Sequence, residues 1–126
     1  RVCVDAGRSV RYELVAELLD RLRATYNRDT EESYNEAIDR CHQANILLLD
    51  DIGLEKPSEW VVEKVTALVD DRYRNGRRLA VATNKTRAQI ANTMGFRLAS
   101  RLWDTSPDTV RVVHLTCADY RMKETP

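Results

Sequence analysis

The feature that most narrows the fold is a short apolar run, Ile46-Leu47-Leu48-Leu49, which stops abruptly at Asp50-Asp51. A continuous run of this length, bounded by polar residues, predicts a strand buried on both faces of a parallel sheet. A second run of the same kind, Leu79-Ala80-Val81-Ala82, ends at Thr83-Asn84. In open parallel α/β sheets, ligands bind beyond the carboxyl ends of the strands. Both polar strand ends are therefore candidate site positions.

The segments around these strands carry helical spacing. Leu14, Val15, Leu18, Leu19, Leu22 and Tyr26 recur at three and four residues, predicting an amphipathic helix from Glu13 to about Thr25. Asn27 to Thr30 is a polar turn, with Thr30 placed to cap a second helix running to about His42. Ser58 caps a third, from about Glu59 to Arg74, which Asn75-Gly76 terminates. Thr86 opens a helix toward Thr93, and Gly95 separates it from another over about Phe96 to Trp103. Val10-Arg11-Tyr12 reads as a short first strand and Val110 to Leu115 as the last. The order strand, helices, strand, helix, strand, helices, strand is an α/β pattern with a mostly parallel sheet.

At 126 residues the chain makes at most one domain. Twenty basic and twenty acidic residues cancel, so overall charge gives no support for a nucleic-acid-binding protein. No apolar run approaches the length that spans a bilayer, and no membrane association is expected. Cys3, Cys41 and Cys117 are far apart and lack C-x-x-C spacing, which reads as core thiols in a reducing cytoplasm. His42 and His114 have no metal-ligand spacing and are read as structural.

Two carboxylates at a dry strand end are costly unless a cation or hydrogen-bond donors neutralise them. Mg²⁺ suits Asp50-Asp51, because it takes hard oxygen ligands and keeps waters beside one or two carboxylates and phosphate oxygens. The plainer alternative is a strand that simply meets solvent at Asp50.

The ordered set of motifs says more than any one of them. Ile46 through Gly53 resembles the Walker B segment of the DnaC/DnaI/IstB branch of AAA+ ATPases. Ala82-Thr83-Asn84 resembles the end of the sensor 1 strand, and Arg97-Leu98-Ala99-Ser100-Arg101-Leu102 the arginine-finger helix. Arg8 to Tyr12, Leu18 to Tyr26, Asp71-Arg72-Tyr73 and Asp119-Tyr120-Arg121 are further likenesses in colinear order. The resemblance implies a P-loop NTPase sheet flanked by helices, binding ATP and Mg²⁺. It implies that Asp50 holds Mg²⁺ through water and that Asp51 polarises the attacking water. Asn84 would orient that water or the γ-phosphate. Arg101 would reach in trans to the nucleotide of a neighbouring copy in a homo-oligomer, Arg97 would buttress it or compete for that nucleotide-binding role, and Arg121 is a sensor 2 candidate. Most AAA+ proteins carry Glu at the position of Asp51, so the shorter side chain puts its reach to the water in question.

Simpler readings stand beside these. Asn84 could cap the following helix with Thr86, Arg101 could pair with Asp104, and Arg72 reads as a surface or interface salt bridge. Arg21, Arg23 and Arg28 could meet DNA phosphates or form a solvated helix face.

The phosphate-binding pattern G-x-x-x-x-G-K-[ST] does not occur in this sequence. The resemblance places that loop and the first strand upstream of Arg1, so residues 1–126 are expected to be a single, N-terminally truncated AAA+ domain. The implied function is loading a replicative helicase onto single-stranded DNA. The alternatives are an IstB-like ATPase assisting a transposase, and an interaction module without ATP binding.

Overall fold

A computed structural model of the chain describes residues 5–27, 30–53, 58–105 and 112–116. Its elements are β1 (Val10–Leu14), α1 (Val15–Tyr26), α2 (Tyr34–Gln43), β2 (Ile46–Asp50), α3 (Glu59–Arg74), β3 (Arg78–Val81), α4 (Arg87–Met94) and α5 (Phe96–Leu102). The three strands form a parallel sheet in the order β1-β2-β3. Each pair is joined by a helical crossover, as parallel pairing requires.

Alternation along the strands explains the two faces. Residues Glu13, Leu47, Leu49, Leu79 and Val81 share one face by register, and on it Leu47 is 0% and Leu49 2% exposed. Val15, Leu18, Leu19 and Leu22 of α1 join Val61, Val65, Leu68 and Val69 of α3 in the same core. On the other face lie Tyr12, Leu48, Asp50 and Ala80, and Tyr12 is 60% exposed. The expectation of burial on both faces is thus corrected. Among the described residues the helices cover one face, so β2 alternates between buried and half-buried positions.

Local chemistry moves some boundaries. β1 continues through Leu14, so the first helix starts at Val15 rather than Glu13. Glu13 points into the packed face, where Arg11 and Arg21 pair with it. The second helix is capped by Ser33, not Thr30, through a box with Glu36. That pair satisfies two orphan N–H groups reciprocally, whereas Thr30 accepts only from Glu32 in the preceding turn. The third helix matches its expected span, with Ser58 accepting from Val61 N–H. Residues 112–116 carry no strand pairing, and Val113 and Leu115 are 69% and 84% exposed. An alternating apolar pattern makes a strand only when a neighbour accepts its backbone bonds, and no described strand pairs with this segment.

Arg72 departs most from its sequence reading. It is 0% exposed, not a surface ion pair. Its Nη1 donates to the carbonyls of Cys41, His42 and Ala44, and its Nη2 to those of Asn45 and Arg78. One guanidinium therefore fixes the end of α2 and the starts of β2 and β3, and with them the strands that deliver the candidate site.

Candidate functional site

Asp50 is the last residue of β2 and is half-buried. The Tyr12 hydroxyl donates to its Oδ2 at 2.5 Å. That bond, with the negative charge behind it, raises the Tyr12 phenol above its ordinary value of 10.0. Asp51 follows with φ 57°, the one non-glycine residue among those described with positive φ. Asp tolerates this left-handed conformation better than most residues, though at a cost.

The reversal at Asp51 stitches the two polar strand ends together. Ala82 N–H donates to the Leu49 carbonyl at 2.9 Å, and Ile52 N–H to the Ala82 carbonyl at 3.3 Å. The Thr83 hydroxyl donates to the Ile52 carbonyl at 2.7 Å and accepts from Lys85 N–H at 3.1 Å. Gly53, at φ 93°, completes the turn; a Cβ there would lie 2.9 Å from Ile90 Cδ1 and 3.1 Å from Lys85 Cγ. Asp50, Asp51 and Thr83-Asn84 therefore occupy one end of the sheet by backbone construction.

Asn84 is exposed in this turn. It does not cap the next helix: the Thr86 hydroxyl accepts from Gln89 N–H, and the Gln89 side chain accepts from Thr86 N–H. Among the described residues, neither Asn84 nor Asp51 has a side-chain hydrogen bond or ion pair.

Arg97 and Arg101 form a second group. Both pair with Asp70 of α3, Arg97 through Nη2 and Arg101 through Nε at 2.9 Å. Arg74 lies 3.4 Å from the same carboxylate. Hydrogen bonding from Arg101 is the largest influence and holds Asp70 below its ordinary value of 3.8; desolvation opposes it, and the charges of Arg97 and Arg74 add to the lowering. Asp104 accepts from the Tyr73 hydroxyl and its charge also acts on Arg101, whose guanidinium stacks on the Tyr73 ring at 4.5 Å. No hydrogen bond or ion pair joins either arginine to Asp50, Asp51 or Asn84. Arg121 and Arg28 lie outside the described residues. Arg21 pairs with Glu13, while Arg23 pairs with Asp20 and covers the Trp60 ring.

Tyr12, Asp70 and Tyr73 join the site residues only in the structure. Tyr12 gives no local signal, since only strand register brings it to Asp50. Asp70 did leave one: an acid within the Val65, Leu68, Val69 stripe, matched by two arginines one helical turn apart.

The donor set fits Mg²⁺. Asp50 and Asp51 supply one or two hard carboxylates, and among the described residues no group of three or more His, Cys, Asp or Glu could hold a metal alone. Mg²⁺ held by these two carboxylates would take waters and phosphate oxygens for the rest of its shell.

The three-stranded parallel sheet with its flanking helices has the AAA+ P-loop NTPase fold. It matches the crystal structure of the DnaC helicase loader with a TM-score of 0.66 at 20% identity, covering 79% of this chain and 59% of that one. It also matches AMPPCP-bound DnaA from Aquifex aeolicus with a TM-score of 0.63 at 18% identity, covering 79% of this chain and 30% of that one. The chain therefore spans less than two thirds of either protein. No curated protein sequence matches it. Residues 1–125 match the sequence profile of the IstB-like ATP binding protein family, and the chain belongs to that family.

Proposed function

We propose that this chain is the hydrolysis half of an AAA+ ATPase domain, acting on ATP and Mg²⁺ in the full-length protein. The observation that carries this reading is the stitching of Asp50-Asp51 to Thr83-Asn84 at one sheet end. When bound, Mg²⁺ would neutralise charge on the phosphates, and Asp50 is the residue to hold it. Asp51 has no side-chain partner among the described residues and sits in a left-handed turn, which supports reading it as the acid that polarises the attacking water. On this reading Asn84 orients that water or the γ-phosphate by hydrogen bonding. Arg101, on the separate α5 group, acts on a nucleotide held by a second copy of the chain. Arginines in that role are worth about 10³–10⁵ in rate.

The test is ATP turnover by the full-length protein and its Asp50→Ala and Arg101→Ala variants. Turnover should fall by about a hundredfold or more in each. Unchanged turnover in both would remove these assignments.

For the biological setting we favour loading of a replicative helicase onto single-stranded DNA, supported by the likeness to a helicase loader. A second reading is assistance to a DNA transposase, which the family match over residues 1–125 favours. Co-purification with a hexameric replicative helicase, against co-purification with a transposase, separates the two.

A further inference from the structure

We propose that Asp70 and Tyr73 of α3 are positioning residues that present Arg101, with Arg97 beside it, to a phosphate group held by a second copy of this chain. The proposal rests on the reading of Arg101 as a group acting in trans. Asp70 belongs to the core-facing stripe of α3, and its side chain is only 9% exposed. A carboxylate so placed needs cations, and it draws three, from Arg74, Arg97 and Arg101. One acid against three guanidinium groups leaves positive charge over, although Asp104 beside Tyr73 also faces Arg101.

The way Arg101 is held points to presentation rather than to a closed lock. A structural ion pair is strongest when both terminal nitrogens meet the carboxylate as a fork. Here only Nε is bonded to Asp70, while the guanidinium face lies on Tyr73. The guanidinium also donates a hydrogen bond to the Tyr73 hydroxyl, so Tyr73 holds it as well as Asp70 does. The orientation of the guanidinium is thus set by Asp70 at Nε and by Tyr73 against its face. Arg97 grips the other Asp70 oxygen from one helical turn earlier, with its side chain 59% exposed. Order in Arg101 before the neighbour arrives lowers the entropy cost of placing it.

The experiment measures ATP turnover in the assembled full-length protein for Asp70→Asn, Tyr73→Leu and Arg101→Ala, with thermal unfolding of each. Asp70→Asn and Tyr73→Leu should lower kcat by about ten- to a hundredfold, with KM nearly unchanged. Asp70→Glu should recover part of the loss. Mixing Asp70→Asn with Asp51→Asn subunits should give more turnover than either alone, because the second variant keeps an intact Arg101 to offer. A variant that merely misfolds would gain nothing on mixing, and that result overturns the proposal. Loss of turnover in Arg101→Ala but not in Asp70→Asn would overturn the positioning role and leave the trans reading intact. Faster turnover in Asp70→Asn would mean that Asp70 restrains Arg101, and would also overturn it. Full turnover in Arg101→Ala would remove the reading on which the proposal depends.

Discussion

Replacing Arg72 with Met keeps most of the side-chain volume and removes every donor. Five carbonyls lose a partner, three of them from the end of α2 and its exit, at Cys41, His42 and Ala44. The other two, at Asn45 and Arg78, sit at the entries of β2 and β3. A hydrogen bond from a charged donor contributes roughly 1.5–3 kcal/mol, so simple addition would exceed about 7 kcal/mol. Two effects reduce that figure. Burying the guanidinium costs several kcal/mol, which Met does not incur, and Nε has no partner to begin with. Water can also reach the half-buried carbonyls. The expected net loss is about 3–5 kcal/mol, the range found when one partner of a buried charged contact is removed. For a chain of this size that lowers Tm by roughly 10–20 °C. Arg72→Lys should lose at least half as much, because one ammonium cannot reach both carbonyl groups at once. Urea denaturation followed by circular dichroism measures both. A loss below about 1 kcal/mol for Arg72→Met would refute the claim that this residue organises the strand entries.

Other perturbations test separate parts of the account. Gly53→Ala should destabilise by about 1–3 kcal/mol, from positive-φ strain and crowding of Ile90, and should lower turnover without touching a carboxylate. The stability that Asp70 contributes has a defined pH window. Its folded value is depressed, so the contribution is complete above its ordinary value of 3.8 and is lost as pH falls through the lower folded value. The stability gap between wild type and Asp70→Asn should accordingly be flat near neutrality and close only in that acid range. Calorimetry on the 126-residue chain alone should show no ATP binding at the micromolar level, on the order of −8 kcal/mol, because the glycine-lysine phosphate pattern is absent from the sequence.

What could be read from the sequence was the part fixed by short-range pattern. The apolar run at Ile46–Leu49, the Ser58 cap and the helix that follows all came through, because periodicity and capping act over a few residues. The positions of Asp50 and Asn84 at strand ends followed from the same reasoning. What sequence could not supply was any contact that depends on register or on helices meeting across the core. Tyr12 reaches Asp50 only because β1 pairs with β2 from Val10↔Ile46 to Leu14↔Asp50. Arg72 looked like a surface charge because nothing local reveals a cage of carbonyls gathered from α2, β2 and β3. Ser33 against Thr30 is a different case: the Ser-x-x-Glu spacing of the capping box is itself legible in the sequence.

The most direct test of the central claim is the Asp51→Asn substitution in the full-length protein, assayed for nucleotide binding and for turnover in parallel. Asn accepts the left-handed backbone found at residue 51, so the turn that joins the two strand ends should survive. The account predicts that ATP is still bound with near wild-type affinity while hydrolysis falls by about a hundredfold or more. Wild-type hydrolysis by this variant would contradict the assignment of the acidic strand end as the hydrolytic half of the site.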